Sequence, residues 1–246
     1  MNVSTAVILA AGRGTRLAGA GLSVPKGLVE IGGEALVSRS IRLMRQRGIA
    51  EVVLVTGHQS ELYDAFTAGR DGVRCIYNGN FDTMGSLESL RCALLEVASP
   101  FLLLDSDILY ESRGIDALQQ DAGANAVLVS GPTGSGDEYY VWTDRSQNIR
   151  YFSKSLADQP EDPAGEHVGI VKVGTSLRTA LLESSAARLR REPMVTYESL
   201  LVSHLSEHEV RNCFVQDLIW SEIDNAEMLA TACDIVWPKL AAIGDR

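Results

Sequence analysis

Apolar positions in the first half of the chain come in short runs separated by helical periodicity. Residues 6–10 form an apolar run that stops at Gly12, which predicts a buried strand. Leu36, Val37, Ile41 and Met44 recur at helical spacing, and Gly48 closes that helix. A strand over 51–56 breaks at Gly57, a short helix covers 61–68, and a third strand covers 73–77. Asn78, Gly79, Asn80 and Asp82 then make a loop. Leu87, Leu90, Leu94 and Leu95 mark a helix with Ser86 as its N-cap. A fourth strand over 101–104 runs into Asp105-Ser106-Asp107. Such alternation predicts an α/β fold, a Rossmann-like mixed and mostly parallel sheet flanked by helices. Ligands of these sheets bind beyond the carboxyl ends of the strands. The loops after 6–10 and after 101–104 are therefore expected to meet on one edge.

The second half has a different texture. Residues 131–136 read as a flexible loop, and 139–143 with 149–154 as a hairpin around 144–148. Residues 157–166, rich in Asp, Glu, Pro and Gly, read as a mobile loop. A strand over 168–173 precedes helices over 175–190 and 194–207. Short strands over 210–215 and 219–223 lead to a terminal helix from Asn225. No repeat, low-complexity tract or linker interrupts the chain. The expectation is a single domain over 1–246, with one half to about residue 130 and a second, from 131, carrying a smaller antiparallel insertion.

Charge narrows the partners. The formal net charge is -10, from 22 Lys+Arg against 32 Asp+Glu. Without a broad basic face, neither nucleic acid nor an anionic membrane is an expected partner. A phosphate-bearing ligand must then be held by a few placed cations, by backbone amides or by metal ions. Cys75, Cys92, Cys213 and Cys233 show no C-x-x-C spacing and sit in apolar segments. They read as small buried residues in a reducing compartment. No positive n-region marks the N-terminus, and the apolar run 5–11 is too short to span a bilayer, so the expected location is the cytoplasm.

Four segments carry candidate chemistry. The first is Leu9-Ala10-Ala11-Gly12-Arg13-Gly14-Thr15-Arg16-Leu17, followed by Pro25-Lys26-Gly27-Leu28. Small residues let the backbone approach an anion, successive amides cradle phosphate oxygens, and Arg16 and Lys26 add fixed positive charge. The second is Asp105-Ser106-Asp107, where a strand-end carboxylate suits Mg²⁺, a cation that takes hard oxygens. The third is Trp220-Ser221-Glu222-Ile223-Asp224-Asn225. On a strand, Glu222 and Asp224 share a face and repel unless a cation lies between them. The fourth is Ile149-Arg150-Tyr151-Phe152-Ser153-Lys154, with a lysine at a strand end.

The first segment resembles the signature of the sugar-nucleotide pyrophosphorylase-like nucleotidyltransferases. It is neither a Walker phosphate loop, which needs G-K-[ST], nor a Rossmann G-x-G-x-x-G, because Leu17 takes the third glycine's place. The W-x-E-I-D segment narrows the likeness to the choline-phosphate and phosphonate cytidylyltransferase branch. That resemblance implies the nucleotide-diphospho-sugar transferase fold, with residues to about 130 binding nucleotide and the rest binding acceptor. It implies that Leu9, Ala10, Ala11, Gly12, Arg13, Gly14 and Thr15 bind CTP, with Arg16 on the β- and γ-phosphates and Lys26 near the α-phosphate. Asp107 is implied as a Mg²⁺ ligand, with Asp105 as fallback and nucleotide neighbour. Asp224 is implied as the second ligand, helped by Glu222, and Lys154 as the holder of the acceptor's phosphate. Gly85 and Ser86 are expected near the base, although nothing in their loop separates cytosine from uracil or thymine. Glu166, His167, Tyr197 and Glu198 are candidate acceptor residues. Tyr139, Tyr140, Trp142, Tyr151, Tyr197 and Trp220 are candidates for an aromatic box or for plain packing.

The reaction so implied transfers CMP from CTP to 2-hydroxyethylphosphonate or 2-aminoethylphosphonate, then in order phosphocholine or a sugar 1-phosphate. Pyrophosphate leaves, and phosphonate or antibiotic biosynthesis is the setting. A non-catalytic nucleotide-binding regulator is the alternative of another class. Fusion to another biosynthetic enzyme and homo-oligomerisation stay open.

Overall fold

The computed structural model describes residues 3–18 and 24–245. Residues 19–23 of the Gly-rich stretch, and the chain's two ends, lie outside the described residues. Strand β1 (Thr5–Ala10) leads into the short helix α1 (Thr15–Ala18). A two-stranded turn, β2 (Glu30–Ile31) and β3 (Glu34–Ala35), precedes helix α2 (Leu36–Arg45). Then come β4 (Glu51–Thr56), α3 (Ser60–Thr67), β5 (Val73–Tyr77), α4 (Ser86–Glu96) and β6 (Phe101–Asp105). The predicted strands over 51–56 and 73–77 match β4 and β5 end to end. No pattern marked β7 (Ile108–Tyr110), α5 (Arg113–Gln120) or β8 (Ala126–Ser130), which follow. The predicted hairpin is β9 (Tyr140–Thr143) with β10 (Ile149–Ser153), and β11 (Gly165–Val173) begins inside the stretch read as a mobile loop. Helices α6 (Thr175–Arg191) and α7 (Tyr197–His204), strands β12 (Arg211–Phe214) and β13 (Trp220–Glu222), and helices α8 (Ala226–Thr231) and α9 (Trp237–Ala242) complete the chain.

Among the described residues, nine strands form one sheet in the order β10-β9-β11-β6-β1-β4-β5, with β8 on the other edge of β11 and β12 beside β8. Strands β5, β4, β1 and β6 are parallel. Strand β11 runs antiparallel to β6, β8 and β9, which joins the second-half hairpin to the same sheet. Along β1, Val7 and Leu9 enter one core while Ala6, Ile8 and Ala10 enter the other. Strands buried on both faces read as continuous apolar runs. The first core packs under α4, α6 and α7 through residues such as Leu90, Leu177 and Leu200. The second packs under α2, α3 and α5 through Ile41, Tyr63 and Ile115.

The pairing that matters most for the site is β13 against β7, with Glu222 opposite Ile108 and Trp220 opposite Tyr110. It continues as Ile223 N–H donates to the Asp107 carbonyl at 2.8 Å. Residues 110 or more positions apart are thereby fixed beside each other. The predicted terminal helix is instead α8 and α9 joined by a π turn over Ala232–Val236. Cys233 of that turn is exposed, against the expectation of burial, while Cys75, Cys92 and Cys213 are half-buried or buried thiols. Among the described residues no helix is long and apolar enough to cross a membrane.

Candidate active site

Parallel pairing of β1 with β6 sets Leu9 opposite Asp105. The Gly-rich loop and the Asp105-Ser106-Asp107 turn therefore leave the sheet side by side, as the sequence predicts. Lys26 opens a 3-10 turn after Pro25. Its Nζ donates to Asp107 Oδ2 at 2.8 Å and also reaches Asp224 Oδ1. Arg16 binds Asp224 Oδ2 at 2.6 Å and Asp137 Oδ2 at 3.4 Å, and Lys154 binds Asp137 Oδ1 at 2.6 Å. Cations and carboxylates thus alternate from Lys26 to Lys154. Asn225, not Asp224, caps α8 by accepting from Met228 N–H at 3.0 Å. That leaves the Asp224 carboxylate for the site.

Carboxylate oxygens of Asp107, Glu222 and Asp224 lie within 4.8 Å of one another. Burial, together with Asp107 and Asp224, pushes the Glu222 carboxyl up to about 8. Burial alone would lower the Lys26 amine, but Asp107 and Asp224 outweigh it and hold it above its ordinary value. The Asp224 charge raises the Arg16 guanidinium in the same way. This is a concentrated set of hard-oxygen donors whose repulsion two protein cations now offset. Mg²⁺ suits such donors.

A cavity of about 340 Å³ joins this cluster to the Gly-rich loop and to β11 and α7. Leu9, Ala10, Ala11, Gly12 and Gly14 line it, as do Gly85, Ser86, Lys154 and Glu166. A side chain added at Gly12 would meet nothing within 4 Å. Gly85 differs: a Cβ there would sit 2.3 Å from the Val195 carbonyl. Its small size is thus explained by the neighbouring 193–195 backbone, and it, not Ser86, is the N-cap of α4. Ser86 Oγ accepts from Tyr197 N–H at 3.1 Å, so helix docking engages it first. Arg13 stands apart in an exposed pair with Asp82 at 3.8 Å, and Thr15 is exposed at the start of α1.

The far wall is polar and buried. Tyr197 Oη donates to Asp105 Oδ2 at 3.0 Å and lies 3.2 Å from His167 Nε2. Gly169 N–H donates to His167 Nδ1 at 3.4 Å. Both ring nitrogens of His167 are thus engaged, and the Tyr197 hydroxyl links the imidazole to the Asp105 carboxylate. Burial drops the His167 imidazole to about 4, keeping it neutral. Burial and Glu198 push Asp105 well above the usual carboxylate range. Glu166 accepts from Thr133 N–H at 2.5 Å and from Thr133 Oγ1 at 3.2 Å, and burial lifts its carboxyl to about 7. Of the six aromatics, Tyr139, Tyr197 and Trp220 line the cavity. Tyr140 and Tyr151 instead pack against Trp142, edge-on and tilted, and Trp142 Nε1 donates to the Glu161 carbonyl. A complete aromatic box is not formed. Sequence reasoning missed Asp137 and Tyr63, which also line the cavity, and gave Ser106 no role of its own there. Asp137 has no motif around it; only its position between Arg16 and Lys154 reveals it.

A MobA-like NTP transferase domain matches residues 6–190, three quarters of the chain. The chain belongs to this family of nucleotidyltransferases. Proteins of related sequence include the CMP-5'-(3-aminopropyl)phosphonate synthase of Streptomyces rubellomurinus, 28% identical over 233 residues, covering 89% of this chain and 37% of that protein. The choline-phosphate cytidylyltransferase of Streptococcus pneumoniae is 28% identical over 107 residues, covering 44% of this chain and 46% of that protein. These matches span less than half the length of either relative. The fold agrees with that of the inositol-1-phosphate CTP transferase from T. maritima, with TM-score 0.78 at 16% identity over 92% of this chain and 91% of that one. It agrees equally with the CTP:phosphocholine cytidylyltransferase of Streptococcus pneumoniae, with TM-score 0.79 at 18% identity over 95% and 99%. The MobA-like family assignment and these structural likenesses agree on the fold.

Proposed function

We propose that this chain is a Mg²⁺-dependent cytidylyltransferase that transfers CMP from CTP to a small phosphonate. The observation that carries the reading is the meeting of Arg16 and Lys26 with Asp107, Glu222 and Asp224 beside the glycine-lined loop. Similarity to a phosphonate cytidylyl enzyme over most of the chain favours that acceptor class. The three carboxylates fit Mg²⁺ by donor chemistry, with Asp107 and Asp224 as holders and Glu222 assisting. Bound there, the ion would neutralise phosphate charge and polarise the reacting phosphoryl group.

The chain's own residues do the rest. Amides of the Gly12 and Gly14 loop cradle the triphosphate. Lys26 and Arg16, ion-paired to Asp107 and Asp224, turn to phosphate oxygens. Lys154 holds the acceptor phosphonate, and Asp137 positions both Lys154 and Arg16. An ionised phosphonate oxygen attacks the α-phosphorus, the bond to the bridging oxygen breaks, and pyrophosphate departs with that electron pair. The nucleophile already carries its charge near neutral pH, so no general base is needed. Positioning and charge neutralisation supply the acceleration.

The test is pyrophosphate release with each of the four nucleoside triphosphates, Mg²⁺, and a panel of 2-aminoethylphosphonate, 2-hydroxyethylphosphonate, phosphocholine and glucose 1-phosphate. Turnover with CTP and a phosphonate is expected. Turnover confined to another nucleotide or to the sugar phosphate, or none at all, would overturn the reading.

A further inference from the structure

The far wall of the cavity holds two carboxylates without a counter-charge. Side-chain ligand atoms of Asp105, His167 and Glu198 lie within 4.8 Å of one another. Asp107, Asp137 and Asp224 are each ion-paired to a lysine or arginine. Among the described residues neither Asp105 nor Glu198 has such a pair, and the nearby Lys154 is committed to Asp137. Glu198 Oε2 is shut from solvent and has no hydrogen-bond partner. The Asp105 side chain accepts one hydrogen bond, from Tyr197. A buried acceptor left unmet is costly, which points to a ligand group that supplies the missing donors.

The surrounding backbone is shaped for this pair. Gly169 has φ +85°, and a Cβ there would lie 2.9 Å from Asp105 Oδ2. The pairing of β11 with β8 shifts register between His167 and Val171, at that glycine. The strand therefore bulges where the carboxylate needs room. A metal ion is the poorer occupant, because both His167 ring nitrogens already have protein partners, Nδ1 with Gly169 N–H and Nε2 with the Tyr197 hydroxyl.

We propose that Asp105 and Glu198 form the subsite for a primary ammonium group, so that the acceptor is an aminoalkylphosphonate. The inference rests on the cytidylyltransferase reading and deepens it. A primary ammonium brings one positive charge and three N–H donors. A hydroxyl brings one donor and no charge. A trimethylammonium brings charge but no donor, and leaves the Glu198 oxygen unmet. Lys154 would then hold the phosphonate end and the acid pair the amine end of the same molecule.

The experiment compares kcat/KM for 2-aminoethylphosphonate and 2-hydroxyethylphosphonate, with CTP and Mg²⁺, in the wild type and in Glu198→Gln. The wild type should prefer the amine by about tenfold or more, since sites built to bond a group reject its analogue. In Glu198→Gln that ratio should fall by about tenfold, through KM for the amine rather than KM for CTP. Glu198→Asp, which keeps the charge, should restore part of the preference. Equal use of the two acceptors by the wild type, an unchanged ratio in Glu198→Gln, or a loss carried by KM for CTP would overturn the subsite. The wild-type ratio decides the matter even if the variant fails to fold. Turnover of both phosphonates without preference sinks the subsite and spares the cytidylyl reading. Absence of turnover with any phosphonate sinks both.

Discussion

At the scale of single residues, the site is a balance of charge. Three carboxylates share a space of 4.8 Å, and Lys26 touches two of them. Lys26→Ala removes both that balance and the positive charge meant for the triphosphate. Turnover should fall by about 10²–10³-fold, the scale seen when one transition-state donor is lost. Steady-state pyrophosphate release checks this, and near-normal turnover would refute the role given to Lys26. Glu166 offers a second residue-scale prediction. Its folded carboxyl is raised from the ordinary 4.5 to about 7 by burial. The folded chain therefore keeps a proton that the unfolded chain has released. Its stabilising contribution is complete below about pH 4.5 and is lost as pH rises through about 7. His167 acts with the opposite sign, its contribution being lost as pH falls from 6.5 through about 4. Thermal melts across this range should show Glu166→Gln gaining stability relative to wild type as pH rises. A constant difference between the two curves would contradict the assignment.

At the scale of elements, legibility followed how local the cause was. Strands β4 and β5 are readable to the residue because each apolar run is framed by its own turn signals. The Gly-rich loop and its cations were legible for the same reason, since loop and lysine lie within 20 residues. Strand β7 was not. Three residues carry no periodicity, and β7 exists because β13 pairs with it from across the chain. Asp137 was invisible because its partners Arg16 and Lys154 come from two other segments. Gly85 was legible as a small residue lining the cavity, but not the backbone of 193–195 that crowds it from across the chain. The contrast with Gly12 yields a prediction. Gly12→Ala meets no neighbour, so its melting temperature should stay close to wild type while KM for CTP rises. Gly85→Ala forces apart α4 and the segment before α7, and should cost about 1–3 kcal/mol of stability. Equal stability of the two variants, read by urea denaturation, would show that the crowding at Gly85 relaxes freely.

For the molecule as a whole, the C-terminal segment meets the rest of the fold through a small core around Ile223, Val236 and Leu240, through Arg39 on Asp245, and through the β7–β13 ladder with the acidic cluster beside it. The ladder sets Glu222 against Ile108, and the Ile223-to-Asp107 bond carries the pairing on to Asp224. Any group that neutralises Asp107, Glu222 and Asp224 therefore ties residues near the end of the chain to the sheet's central edge. Arg16 and Lys26 do this through their ion pairs with Asp107 and Asp224, which hold them away from substrate. A divalent cation delivered with CTP would do it better and release them. Binding to the folded chain alone stabilises it by about 2.7 kcal/mol when ligand is at a hundredfold excess over its Kd. Mg²⁺ with CTP should thus raise the melting temperature more than CTP with EDTA. Asp224→Asn, which keeps the shape and removes the charge, should abolish most of that difference while leaving a cooperative transition. A magnesium-dependent shift as large in Asp224→Asn as in wild type would place the ion elsewhere and separate the acidic cluster from nucleotide binding.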